Sequence, residues 1–309
     1  MNNPLVSVII PNYCHSKFLD QRIQTVLNQT YQNFEVIILD DASPDEGASK
    51  SVIEKYRENE HISKIIYNEN NSGSTFLQWQ KGFQLAQGEL IWIAESDDYC
   101  EPTILSTLVN SFLLHDNLSF AFCTSNIVDN DNKLILGWHD KAEEIPHKLF
   151  DGVDFIKKHL MLDNSVYNAS AVVFKKNIAL NIDNAYMSYK AAGDHLFWIL
   201  LAEEGQVFHN SEKLNYFRQH QNKVTNTKAA DGTQNRELHR TVNYLRSKGY
   251  VRLWDEFAIA DFYINKTLYQ TAYNDPKIVA ELLKQWNCHK LFNKFTLPIV
   301  RFLLKIHNS

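Results

Sequence analysis

Residues 90–94, Leu-Ile-Trp-Ile-Ala, form an unbroken apolar run that stops at Glu95-Ser-Asp-Asp98, where three of four residues are carboxylates. A run this short and this apolar reads as a β-strand buried on both faces, as in a parallel sheet covered by helices. Adjacent ionised carboxylates are not held inside such a core without partners. They belong at the strand's carboxyl end, in the crevice where open α/β sheets bind ligands. Paired carboxylate oxygens there suit a hard divalent cation shared with a diphosphate. The alternative is that Asp97 and Asp98 cap the helix that Pro102 introduces.

The first hundred residues repeat this grammar. Residues 5–10, Leu-Val-Ser-Val-Ile-Ile, are a β-branched strand closed by Pro11-Asn12. Ser16 is expected to cap a helix whose apolar face is Leu19, Ile23, Val26 and Leu27. A second buried strand over 34–39 runs into Asp40-Asp41-Ala-Ser-Pro-Asp45, a carboxylate-rich turn. Helices are expected over 48–59 and 76–86, with a short strand at 63–67 and a polar loop at 68–74. Strands alternating with helices imply βαβ units and a mainly parallel sheet.

The later chain differs. A helix is expected at 104–114, then a hairpin of 120–128 and 133–138 around Asp129-Asn-Asp-Asn132. That turn lacks the glycine and distal glutamate of a calcium loop. Further strands are expected at 170–174, 207–209 and 214–217, and Gly193-Asp194-His195 opens a helix over 196–204. Residues from about 235 read as helices alone, a separate C-terminal appendage.

Bulk properties narrow the function. The 309 residues are 44% hydrophobic and 22% charged, ordinary for a globular protein of one large or two packed domains. A net charge of −5 does not indicate a general nucleic-acid surface and leaves room for local basic patches. The four scattered cysteines have no metal-finger spacing and read as free thiols. With no signal peptide and no spanning run, a cytoplasmic location is expected. Neither a G-x-G-x-x-G turn, a Walker loop nor a G-x-S-x-G elbow occurs. Asp41 and Asp98 thus deliver carboxylates to one sheet edge without a glycine cradle, which favours a metal-bridged diphosphate.

Taken together, the motifs resemble family 2 glycosyltransferases of the GT-A fold. The matching pieces are Val6-Ser-Val-Ile-Ile-Pro-Asn-Tyr13, Leu27-Asn-Gln-Thr-Tyr-Gln-Asn-Phe34, Leu39-Asp-Asp-Ala-Ser43, Asn71-Ser-Gly73, Ala86-Gln-Gly-Glu-Leu90, Ala94-Glu-Ser-Asp-Asp98, Gly193-Asp-His-Leu-Phe-Trp198 and Tyr216-Phe-Arg-Gln-His220. They cover roughly residues 5–222 and look most like bacterial enzymes that build surface polysaccharides. The resemblance implies a Rossmann-like sheet, with residues 1–125 as nucleotide-sugar half, 126–222 as acceptor half and 223–309 as helical extension. It implies that Pro11 and Tyr13 flank the nucleotide and that Asp41 meets the base; by strand alternation Asp40 should point the other way. Asp97 is implied to lie near the donor ribose and sugar, Asp98 to bind Mn²⁺ or Mg²⁺, His220 to reach the metal or diphosphate, and Asp194 to be the catalytic base.

Plainer roles exist for several of these: Asp41 as turn former, Asp194 as helix cap, His220 as a solvated loop residue. Two departures stand out. Cys14 replaces a frequent Asn, and Phe76-Leu-Gln-Trp-Gln-Lys81 replaces a segment carrying an arginine, leaving Lys81 as the open candidate for its phosphate contact. Trp79, Trp92 and Trp198 read as core. The implied activity is inverting transfer of a sugar from a UDP- or dTDP-linked donor to a glycan or lipid-linked acceptor. The rivals are a sugar-nucleotide nucleotidyltransferase, whose glycine-rich basic N-terminal signature is absent, and a non-catalytic nucleotide-sugar-binding protein. The tail from Leu282 carries Lys284, Lys290, Lys294, Arg301 and Lys305 among apolar residues and has no acidic residue. It is expected either to lie on an anionic membrane surface or to pack on the catalytic domain or a homodimer partner.

Overall fold

A computed structural model describes residues 3–137, 140–219, 231–269 and 276–286. Among them one nine-stranded sheet forms the centre. Strands β1 (Val6–Asn12), β2 (Phe34–Asp40), β3 (Ile62–Tyr67) and β4 (Leu90–Ile93) pair in parallel in the order β3-β2-β1-β4. Between them run α1 (Ser16–Leu27), α2 (Ala48–Glu54) and α3 (Thr75–Leu85). The β-branched runs of β1 and β2 bury every residue, because helices cover both faces. Period-two alternation sorts the side chains. Val8, Ile10, Val36, Ile38 and Trp92 join α1 and Ile53 on one face, whereas Ile9, Ile37 and Leu39 meet Phe76, Trp79 and Phe83 of α3 on the other.

Beyond β4 the sheet becomes mixed. The short β5 (Tyr99–Cys100) precedes α4 (Ile104–Leu114), β6 (Leu118–Val128) and β7 (Lys148–Phe150). Then come the single turn α5 (Gly152–Phe155), β8 (Val172–Lys175), α6 (Lys176–Asn181), α7 (Gly193–Glu203) and β9 (Gln206–Arg218). β8 lies antiparallel between β4 and β6, and β6 pairs in parallel with β9. The expected hairpin is reduced to a single Val128–Leu134 bridge, because β6 spends its edge on β9. The two strands expected at 207–209 and 214–217 are one continuous strand, with exposed Ser211, Glu212 and Lys213 in its middle. The expected division at residue 125 falls inside β6. Ser16 does not cap α1: the N-cap is His15, whose side chain makes no capping bond.

After Arg218 the described elements are helices: α8 (Thr233–Ser247), α9 (Leu253–Tyr269) and α10 (Pro276–Trp286). They are not a separate appendage. Leu238, Val242, Leu245, Ile259, Tyr263 and Trp286 share one buried cluster with Leu196, Phe197, Ile199 and Leu200 of α7. Each such side chain, fully buried, contributes about 1.5–3 kcal/mol. α7 is apolar nearly all round because it is enclosed on all sides. Among the described residues no helix is long and apolar enough to cross a membrane. His220 and the tail from residue 287 lie outside the described residues.

Candidate active site

The carboxyl ends of β1, β2 and β4 lie side by side, with Asn12 opposite Asp40 in register and the Ala94 N–H donating to the Ile9 carbonyl (2.8 Å). Pro11 is buried within β1, while Tyr13 beyond it is 44% exposed. Cys14 follows at φ 57°, in the left-handed region. Asn tolerates that conformation better than cysteine, so the Asn that the resemblance leads one to expect there would sit with less strain.

Asp40 and Asp41 point to opposite sides. Asp40 accepts from Asn12 Nδ2 (2.7 Å) and Ser43 Oγ (2.8 Å). Asp41 turns toward α3 and is buried, accepting from Asn68 Nδ2 (2.6 Å), Ser72 N (2.9 Å), Ser72 Oγ (2.7 Å) and Gln78 Nε2 (2.8 Å). It therefore anchors the 68–74 loop. Lys81 donates to Asn68 Oδ1, so it props the same loop. The segment that replaces the arginine is thus knitted into the site: Gln78 holds Asp41 and Trp79 Nε1 donates to Glu95 Oε1 (2.9 Å).

At the end of β4 the carboxylates take different environments. Asp98 is 1% exposed; its Oδ2 accepts from Asn168 Nδ2 and Ser170 Oγ (both 2.7 Å), and its Oδ1 from the Arg218 N–H (2.9 Å). Asp97 is the more exposed of the pair. The Glu95 carboxyl is pushed up to about 8, first by burial and then by the charge of Asp97. Neither Asp97 nor Asp98 caps α4, whose N-cap is Thr103.

Two buried arginines brace this turn. Arg22 Nε donates to the Glu95 carbonyl (2.9 Å), with Nη2 at 4.0 Å from Asp98 Oδ2. Arg218 is 1% exposed and donates to the carbonyls of Asp97 and Asp129 (both 2.7 Å), to Gln21 Oε1 (3.0 Å) and to Asn132 Oδ1 (2.6 Å). Its guanidinium also lies 4.5 Å from the Phe18 ring centre. Sequence reasoning missed both. Arg22 had a signal, since it falls on the apolar face of α1 with Leu19, Ile23 and Val26. Arg218 lay within the matching piece Tyr216-Phe-Arg-Gln-His220 without a role assigned to it, and Asn168 and Ser170 had no signal, because loops and strand ends carry no periodicity.

Asp194 sits in the first turn of α7, whose N-cap is Ala192, without a capping side chain. Asn164 Nδ2 donates to Asp194 Oδ2 (2.9 Å). The carboxyl is pushed up to about 6: burial raises it most, Glu237 adds to the rise, and the N–H groups of His195 and Asp194 and the Asn164 amide pull it back. The helix terminus therefore offsets burial only in part. Asn164 and Asn168 lie on one loop, and four residues span at most about 14 Å. That loop ties the surroundings of Asp194 to those of Asp98. Trp79, Trp92 and Trp198 are core residues, all buried.

Among the described residues no three His, Cys, Asp or Glu side chains form a cluster that could hold a metal alone. The carboxylates of Asp97 and Asp98 fit a Mg²⁺- or Mn²⁺-type ion that takes one or two protein carboxylates and completes its shell with substrate phosphate and water.

The fold and its carboxylate edge define a GT-A architecture. TarS 1–349 of S. aureus in complex with UDP-GlcNAc superposes with a TM-score of 0.59 at 17% identity, over 95% of this chain and 76% of that one. The mannosyltransferase PcManGT of Pyrobaculum calidifontis, in complex with GDP-Man and Mn²⁺, gives 0.55 at 14% identity, over 100% and 88%. The chain belongs to glycosyl transferase family 2, whose pattern matches residues 7–172. It is 29% identical over 205 residues to the poly(ribitol-phosphate) beta-N-acetylglucosaminyltransferase TarP of Staphylococcus aureus, covering 63% of this chain and 56% of TarP. The chain thus spans little more than half of that relative.

Proposed function

We propose that this protein is an inverting glycosyltransferase that moves a sugar from a UDP- or dTDP-linked donor to a hydroxyl of a growing surface glycan, with Asp194 as general base. The observation that carries the reading is Asp194 itself. It is a carboxylate at a helix start with its carboxyl pushed up to about 6, joined by one short loop to the carboxylate turn after β4. A base poised near operating pH combines availability with proton affinity. The complexes of TarS with UDP-GlcNAc and of PcManGT with GDP-Man support a nucleotide-sugar donor, the first of them a uridine one, and the poly(ribitol-phosphate) in the name of TarP supports a polymer acceptor.

In the proposed reaction the acceptor oxygen attacks the anomeric carbon as the carbon–oxygen bond to the diphosphate breaks. Asp194 takes the acceptor's proton, and the nucleoside diphosphate leaves with the bonding pair. Asp97, the outward carboxylate, would be the main protein ligand of a Mn²⁺ or Mg²⁺ ion, with Asp98 behind it. When bound, such an ion supplies charge neutralisation for the leaving diphosphate. The resemblance makes Asp98 the direct ligand; Asp97 is put first here because it is the more exposed of the pair, while Asp98 also accepts from Asn168, Ser170 and the Arg218 N–H. Pro11 and Tyr13 would flank the nucleotide, and Asp41 would set the loop that meets the base. We further propose that residues 1–222 carry the transfer chemistry and 223–309 form the helical extension.

A panel of UDP-, dTDP- and GDP-sugars, incubated with an acceptor glycan and Mn²⁺ with or without EDTA, tests the reading through nucleotide release. Release from a uridine or thymidine donor that EDTA suppresses is the expected outcome. Binding of a donor without transfer to any acceptor would favour the binding-protein alternative.

A further inference from the structure

The loop that delivers Asp194 is held from the C-terminal helices. Glu237 of α8 is 5% exposed, and its two carboxylate oxygens accept three consecutive backbone N–H groups: Lys190 (2.6 Å) on one, Ala191 and Ala192 (both 2.9 Å) on the other. Those three residues end two positions before Asp194. The α7 N-cap, Ala192, has no capping side chain; the first-turn N–H groups of Asp194 and His195 go to the Asp194 carboxylate, while Glu237 holds the three residues that lead into the helix. Anionic groups at a helix N-terminus are stabilised by the exposed N–H groups there.

A second contact comes from α9. Lys266 Nζ lies 3.5 Å from Asp163 Oδ1, and Lys141 Nζ pairs with Asp163 Oδ2. Burial works against the charge of Asp163, but the two lysines outweigh it and hold the carboxyl low. Asp163 directly precedes Asn164, which donates to Asp194. Both segments flanking the base are therefore pinned by residues beyond position 231.

We infer that Glu237 is a positioning residue of the transfer reaction, through which the C-terminal helices fix the geometry and proton affinity of Asp194. The inference rests on the proposed role of Asp194 as base. The groups around Asp194 leave Glu237 as the charge that raises it. The Lys141–Asp163–Lys266 cluster contains its own counter-ions, Arg240 of α8 lies over the Tyr189 ring (4.3 Å), and burial keeps His195 low, at about 4. Lys190 Nζ points instead to the Gly73 carbonyl (3.4 Å).

The test compares full-length wild type, Glu237→Gln, Glu237→Ala and Asp194→Asn by donor affinity and by the pH profile of kcat/KM. Glu237→Gln removes the charge and keeps an acceptor, so its acid limb is expected to move below that of the wild type. Glu237→Ala also frees the three N–H groups, so kcat is expected to fall about ten- to a hundredfold with donor affinity unchanged. Should Glu237→Ala not fold, the acid limb of Glu237→Gln decides. An unshifted limb and wild-type kcat in the glutamine variant, with Asp194→Asn inactive, would overturn this inference alone. Wild-type transfer by Asp194→Asn would overturn both the inference and the assignment of the base.

Discussion

Replacing Gly193 by alanine is the smallest change that moves Asp194 without touching it. The glycine has an ordinary backbone conformation, so its requirement is one of space. An added Cβ would meet Phe76 Cε2 at 2.6 Å and the Tyr186 carbonyl oxygen at 2.7 Å. Comfortable contacts of carbon lie near 3.5–4.0 Å, so about 1 Å of movement is needed. Phe76 is buried, packed edge-on against Trp79 at 5.1 Å and Tyr186 at 6.3 Å, and the second obstacle is backbone. The first turn of α7 must therefore give way. Overpacking of this kind costs about 1–3 kcal/mol, or a few degrees of Tm. A ~1 Å misplacement of a catalytic group costs on the order of a hundredfold in rate. Steady-state transfer, donor calorimetry and thermal melting on Gly193→Ala should show kcat reduced on that scale, donor affinity kept and a modest loss of Tm. Adding Phe76→Leu removes one of the two obstacles and should restore part of kcat. Wild-type kcat in Gly193→Ala would refute the claim that this turn sets the base.

Arg218→Lys keeps the charge but loses the planar fork that serves four acceptors, so it should lower stability by roughly 2–4 kcal/mol in urea denaturation. Asp97→Asn should weaken metal-dependent donor binding, and Asp98→Ala should lower Tm because it strands the donors of Asn168, Ser170 and Arg218; calorimetry with and without EDTA checks the first and melting curves the second. Leu245→Ala, in the core shared by α7 and α8, should cost about 2–5 kcal/mol by the same denaturation assay. The folded Asp194 carboxyl titrates near 6, above its ordinary 3.8, so its ionisation destabilises the fold increasingly as pH rises from about 4 to above 6. Melting curves of Asp194→Asn and wild type should therefore diverge in favour of the variant across that window and converge below it.

The places of the candidate carboxylates at strand and helix ends were legible in the sequence. Asp41, Asp97, Asp98 and Asp194 each mark a place where an apolar period starts or stops, and the physical cost of burying charge puts such residues at edges. What was not legible depends on partners far away in the chain. The inward turn of Asp98 requires Asn168, Ser170 and Arg218, up to 120 residues distant. β9 looked like two strands because Ser211, Glu212 and Lys213 break its alternation, although its backbone pairs with β6 on both sides of them. The helices beyond residue 231 show amphipathic faces, but nothing local says that those faces cover α7. Nor does Glu237, an ordinary helical glutamate in sequence, announce that its carboxylate holds a loop 45 residues earlier.

The most direct test of the account is single-turnover transfer by Asp194→Asn, with the donor that the wild type uses, beside donor affinity measured on the same preparation. Asparagine keeps the shape and the hydrogen-bonding reach but not the basicity. A positioned base commonly contributes about 10²–10⁴-fold. The account predicts donor affinity close to wild type and transfer slower by at least about a hundredfold. Transfer at near the wild-type rate would contradict it and place the base elsewhere.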